Sequence, residues 1–461
     1  MDFPIYHADF FGNRMIIGII AVVHVLINHP FAVGIMPLIT GMEWWGHRKN
    51  RPEWDKLAYK ILFVCFIVTT TAGAMTGVGI WFSTALISPF AIGSLLRVFY
   101  WAWFTEWIVF VSEISLILAY FLTWKRMTGD RKTAHIRIGI ALSIMSWLTM
   151  AVIVGILGYM MNPGDWLQEA NLRAGFVNPI YIPQLFFRTA FALAFAGSLA
   201  LALTAAFTEK GSEFRGRAVK FFSGWTLFWL IPMLVWGAVY YRAIPTGMTA
   251  NLPVAFGTQA YEAKYGLLTQ MLAGVVVITG VLSVWGVLRP RTANWVIWVI
   301  PLVMFTVLMG YFERAREFIR KPYVIGYYMY SNGIRVDEVP YTIKTGLLTN
   351  AVWVEHNKVT ADNKLEAGRD VFMLACSRCH TINGINAVRT NLSRMYPGQD
   401  TWDAGAIDQY LKSMHGSRPF MPPFPGNAAE REALAEFLAS LKTTHYVAPT
   451  PAMAASGSSD N

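Results

Sequence analysis

About eight long apolar stretches leave this chain little choice of fold. They lie near Phe11–Ile39, Leu57–Thr84, Arg97–Trp124, Ala134–Met161, Pro183–Phe207, Phe221–Tyr241, Tyr265–Leu288 and Asn294–Phe312. A helix of about 20 apolar residues crosses the ~30 Å hydrocarbon layer of a bilayer. With 55% hydrophobic and only 14% charged residues, most of the chain must face lipid. The 18 tryptophans suit a protein that crosses two lipid–water interfaces. The expected fold is all-α, a polytopic membrane helix bundle, over residues 1–325. The first apolar run is long enough to remain as a span rather than to be removed as a signal peptide.

The polar loops alternate in charge. Gly46–Lys56, Lys125–Arg137, Glu209–Lys220 and Arg289–Arg291 are basic, whereas Asn162–Pro183 and Arg242–Lys264 are longer and richer in Pro, Gly and Asn. The positive-inside rule assigns the basic set to the cytoplasm and the N-terminus to the outside. The net charge of +10 therefore orients helices and is no sign of nucleic-acid binding. An even number of spans returns the chain to the outside, where a polar connector, residues 326–360, leads to a small all-α domain at 361–446. The tail 447–461, rich in Ala, Pro, Ser and Gly, reads as disordered.

That small domain carries Cys376-Ser377-Arg378-Cys379-His380, a C-x-x-C-H run that is the pattern for covalent haem c attachment. The two thiols add to the two vinyl groups of one porphyrin, and His380 is placed to bind the iron. Met421 is the expected sixth ligand, because the run Arg418-Pro419-Phe420-Met421-Pro422-Pro423-Phe424 braces its thioether with prolines. Met414 and His415 are alternatives outside that braced loop. Lys364–Phe372 reads as a helix leading to the motif, and Ala428–Leu441 as a closing helix with apolar residues at helical spacing. The domain resembles class I cytochrome c. Haem c is made outside the cytoplasm, in agreement with the loop charges, so the expected location is a bacterial inner membrane with the haem c domain in the periplasm. The third cysteine, Cys65, lies inside a span and reads as a packing residue.

Ionisable residues inside spans cost about 2.5–3.5 kcal/mol each and need a reason. His24 lies mid-span and is a candidate haem-iron ligand, the alternative being a hydrogen-bonded core histidine. His29, five residues on, falls on another helical face and reads as a packing or hydrogen-bonded residue. Glu106 and Glu113, seven apart on the third span, lie two turns along one face and suit proton relay or iron ligation. Arg188 would hold a haem propionate or snorkel to the interface. Glu317 reads as part of an interfacial charge cluster.

Together these residues resemble subunit I of the cytochrome bd family of quinol oxidases. Further points of likeness are Trp124-Lys125-Arg126, Asn162-Pro163, Asn178-Pro179 and Glu317-Phe318-Ile319-Arg320-Lys321-Pro322-Tyr323. The resemblance implies that His24 and Glu317 ligate high-spin haems of the b or d type, and that Glu106 and Glu113 line the dioxygen site and its proton path. It also implies a second membrane subunit of the bd type, with other complex subunits. Four departures stand beside it. Arg188 replaces the family's low-spin haem histidine, although Met271 matches that haem's Met ligand; the glutamates are seven rather than eight apart; the quinol loop is reduced to Tyr240–Lys264; and a haem c domain stands where the ninth helix would be. The first expected function is a bd-like oxidase fed through haem c by a periplasmic electron-transfer protein. The second is a non-oxidase electron-transfer or anchor subunit linking the quinone pool to a periplasmic partner.

Overall fold

The structure, a computed structural model, describes residues 6–256, 265–291 and 294–444. The expected disordered tail and part of the loop before Lys264 lie outside the described residues. Contacts divide the chain into two units. One holds Ile20–Gly79 and Leu95–Arg320; the other holds Met1–Ile19, Ile80–Ser94 and Lys321–Asn461.

Among the described residues, eight helices are long and apolar enough to cross a membrane: α1 Asn13–Arg48, α2 Pro52–Ile87, α3 Tyr100–Thr123, α4 Gly129–Met161, α5 Tyr181–Phe207, α6 Glu213–Ala243, α7 Thr269–Leu288 and α8 Trp295–Ile319. The chain is thus an all-α multi-pass membrane protein with a folded C-terminal domain. Two spans differ from the sequence expectation in a way that matters later. Helix α1 continues to Arg48, through a π-helical stretch at Asn28–Gly34. Helix α8 runs past Phe312 to Ile319, so the charged residues after Phe312 are helical. A π-helical stretch also interrupts α2 at Thr69–Gly73. Such bulges loosen the i→i−4 ladder and free carbonyls for side chains.

Helix α5 is the buried centre of the membrane unit. Its Ala190, Ala192, Ala194, Ala196 and Ala200 are nearly inaccessible, so small side chains let neighbouring backbones approach. Gly34 on α1 is one such approach: a Cβ there would strike the Ala192 carbonyl.

In the other unit, a two-stranded ribbon, β1 Tyr323–Ile325 against β2 Met329–Tyr330, is followed by a short helix Val339–Thr345. Four helices follow: α9 Lys364–Ala375, α10 Val388–Met395, α11 Ala404–Ser417 and α12 Ala428–Ser440. Asn427 and Glu430 form a capping box on α12. The buried Glu430 carboxylate also accepts from the Leu347 and Leu348 amides, both at 2.8 Å. This ties residues before the cytochrome-like helices into the same core, where Leu348, Val371, Phe372, Ile407 and Leu434 are inaccessible. Helices α9 and α12 cross at Gly368, where a Cβ would collide with the Ala433 carbonyl.

Candidate functional site

The C-x-x-C-H run follows α9 directly. The Cys376 amide closes the helix onto the Phe372 carbonyl at 2.9 Å, and the amides of Cys379 and His380 turn back to the Cys376 carbonyl at 3.1 and 3.0 Å. This single turn sets the two thiols and the imidazole on one short loop. His380 Nδ1 faces the Asn386 carbonyl at 3.2 Å, which makes Nδ1 the donor and leaves the Nε2 lone pair for iron. Asn386 is itself in a left-handed conformation, and its amide donates to the Cys379 carbonyl at 2.8 Å. Burial holds the His380 imidazole below its usual pKa; the Asn386 carbonyl opposes this, and the Arg14 and Arg418 charges add to it. A neutral imidazole is the form that ligates iron.

Of the three candidate sixth ligands, Met414 is buried in the domain core, and His415 donates from Nδ1 to the Met421 carbonyl at 2.5 Å, which leaves its Nε2 lone pair available as in His380. Met421 is half-buried, its amide held by the Arg418 carbonyl at 2.8 Å and its sulfur 4.0 Å from the Tyr410 hydroxyl. The residues suit a covalent haem held by Cys376, Cys379 and His380, with Met421 its expected sixth ligand, and such a group supplies one-electron transfer. Replacing Met421 by Ala is expected to lower the midpoint potential of the haem c. Axial ligation spans about 0.8 V among haem proteins, and a fall of roughly a tenth of that range or more is expected. Spectroelectrochemical titration measures it, and an unchanged midpoint would exclude Met421 as the ligand.

Two features of this unit escape sequence reading. Residues 7–12 dock beside the haem motif: Asp9 accepts from the Ile382 amide at 2.6 Å, and the Ile385 amide donates to the Phe10 carbonyl at 3.0 Å. Contacts across some 370 residues of sequence leave no local signal. Arg378, between the two cysteines, is only 5% exposed, with its guanidinium over the Phe90 ring at 5.6 Å. Burial pulls it down to about 10.

In the membrane unit, His24 is half-buried on α1. Its Nδ1 faces the Gly73 carbonyl at 3.2 Å and the Thr76 hydroxyl at 3.1 Å. The carbonyl comes from the π-helical stretch of α2, and a Cβ at Gly77 would lie 3.2 Å from the His24 ring. The ring is thus fixed through one nitrogen, as an iron-ligating histidine is. Glu113 accepts from the Ser146 hydroxyl at 2.7 Å and the Thr149 hydroxyl at 3.0 Å, both on α4. Glu106 is two turns away on α3 and shares its face.

Arg188, Glu317 and Met271 differ in their surroundings. Arg188 is 1% exposed, so it does not snorkel. Its Nη2 pairs with Glu313 at 2.5 Å, its Nη1 meets His29 Nε2 at 3.2 Å, and the Phe312 ring lies 5.2 Å from its centre. Both terminal nitrogens expected to hold a propionate are thus engaged inside the protein. Glu317 is partly exposed and pairs with Arg320. Met271 is 59% exposed on α7. Glu313, which also binds Arg316 Nε at 2.9 Å, was hidden because the apolar signal of the last span stops at Phe312.

A comparison with curated protein sequences found no match. Residues 363–438 match the family described as "Cytochrome C oxidase, cbb3-type, subunit III". The C-terminal domain is of the cytochrome c type. Its family match covers the cysteines, His380 and Met421. Among solved structures, the chain is similar to the bd oxidase from Geobacillus thermodenitrificans, with a TM-score of 0.56 and 16% identity, over 69% of this chain and 89% of that one. At that identity the likeness is one of fold. A helical membrane region with the fold of a bd oxidase chain and a cytochrome c domain thus stand in one chain.

Proposed function

We propose that this chain passes electrons from a periplasmic donor through haem c to haems of its membrane region, and that the assembled complex reduces dioxygen. The observation that carries this reading is the union of a cytochrome c domain with the fold of a bd oxidase chain. Cys376, Cys379, His380 and Met421 hold the entry haem. His24 and Glu317 are the proposed iron ligands in the membrane, and haem there supplies the site at which dioxygen is reduced. Glu106 and Glu113 move protons towards it, with Ser146 and Thr149 fixing the Glu113 carboxylate. Arg188 and Met271 play no ligand role in this reading. The quinol-side route is replaced by haem c on the periplasmic side, and a second bd-type membrane subunit completes the complex.

The purified complex, with its companion subunits, is expected to consume oxygen when supplied with reduced cytochrome c. Absence of oxygen uptake above that of the heat-inactivated complex in an oxygen electrode would sink the proposal. One observation favours the second reading, a non-oxidase subunit exchanging electrons with the quinone pool: Glu317 is already paired with Arg320. Haem extraction and carbon monoxide difference spectra separate the two, since only the oxidase requires a membrane haem open to the gas.

A further inference from the structure

The two residues between the haem-binding cysteines are used differently. Ser377 is inaccessible, and its hydroxyl donates to the Met373 carbonyl at 2.6 Å, closing the end of α9. Arg378 is buried as well, but its Nε and Nη1 have no hydrogen-bond partner among the described residues. The one ionisable group that acts on its guanidinium is the Cys379 thiol, and thioether formation removes that group's charge. In the haem-loaded protein Arg378 is therefore a buried cation without an anion.

The surroundings are shaped to this guanidinium. Phe90, in the short helix Pro89–Val98, has its ring 5.6 Å from the centre of the group. The turn after β2 approaches it too, where the Gly333 amide donates to the Tyr330 carbonyl at 2.9 Å. Gly333 has a φ of 85°, and a Cβ there would collide with Nη1 and lie 2.9 Å from Cζ. Glycine is thus required for the backbone and for the room it leaves. Arg378, Phe90 and Gly333 all belong to one compact unit.

Holding a cation out of water without a counterion is costly, and stacking on one aromatic ring recovers only part of the cost. An apolar side chain of similar volume would serve stability better. Stability therefore does not account for Arg378.

We propose that Arg378 sets the potential of haem c: its buried, unpaired charge makes the haem easier to reduce. Cys376 and Cys379 are bonded to the macrocycle in the loaded protein, so the residue between them holds its charge near it by covalent connection. Reduction takes one electron from the donor, makes and breaks no bond, and lowers the charge of the haem by one. A fixed positive charge opposes the ferric form more than the ferrous form. At an effective dielectric constant of about 20, a unit charge about 10 Å away still shifts a one-electron equilibrium about tenfold. Arg14 and Arg418 also act on His380, but both are partly exposed, where water and salt screen them. Arg378 thus favours electron uptake from a donor without touching the iron. The inference rests on haem c in the C-terminal domain and not on the oxidase reading.

Spectroelectrochemical titration of the intact, haem-loaded protein is the test. Arg378→Met and Arg378→Gln, one apolar and one polar, both remove the charge. Each is expected to lower the haem c midpoint by about 59 mV, which is a tenfold change for a one-electron couple. The visible spectrum stays that of the wild type, because the iron ligands are untouched; Met421→Ala would change it. Arg378→Lys keeps the charge and is expected to recover at least half of the fall. The difference between wild type and Arg378→Gln persists from about 0.01 to 1 M salt, because a buried charge is little screened. A wild-type midpoint in either charge-removing variant would overturn the inference. So would Arg378→Lys falling as far as Arg378→Gln, or a difference that vanishes in high salt. Absence of covalent haem from the wild type would instead reject the haem c reading itself.

Discussion

Replacing Cys376 and Cys379 together by Ala abolishes covalent haem. On a denaturing gel the haem-stained band of this chain disappears, and electron entry from reduced cytochrome c falls to background. The reason is chemical. Both thioether bonds are lost at once, and His380 alone binds a haem that denaturation strips away. The loop geometry survives, because the turn is made by backbone bonds from the Cys379 and His380 amides to the Cys376 carbonyl rather than by the thiols. Membrane haem content is expected to remain, so reduction of those haems by dithionite is the internal control. A covalent haem band persisting in the double variant would mean that the C-x-x-C-H reading is wrong.

Glu313→Leu is expected to destabilise the membrane unit by about 3–5 kcal/mol, the cost of breaking a buried ion pair from one side. Glu313 is 6% exposed and bridges Arg188 and Arg316. Its loss leaves two cations facing each other in a site shared by α5 and α8, with a histidine rather than an anion beside Arg188. Arg188→Met is milder, because Glu313 keeps Arg316. Thermal unfolding of the detergent-solubilised protein, followed by intrinsic tryptophan fluorescence, measures both. Equal melting temperatures for Glu313→Leu and the wild type would show that the cluster carries no stability.

The two variants probe parts of the molecule that differ in how openly the sequence displays them. The haem c motif is local. Two thiols and an imidazole must lie within one turn, so their spacing is written in five consecutive residues, and the family match over residues 363–438 agrees. The spans were equally legible, because a bilayer demands length and apolarity whatever the packing. Their ends were less so. Helix α8 continues through Glu313 and Arg316 because those charges pair within the protein, so the helix outlasts its apolar signal. Polarity alone cannot separate a buried ion pair from a loop.

The buried Glu43–His135 pair lies between these cases, because its two residues come from different spans. Glu43 stands 92 residues from His135. The docking of Asp9 and Phe10 beside Ile382 and Ile385 lies wholly beyond sequence reading.

What the sequence determined by itself was the solvent of each part and the covalent chemistry of one cofactor. Hydrocarbon and porphyrin both impose requirements on consecutive residues. Which buried charges neutralise one another was decided only by the tertiary structure, because a charge in an apolar bundle is stable only with its partner in place. Those partners, Glu313 for Arg188 and Lys132 for Glu43, come from helices distant in the chain.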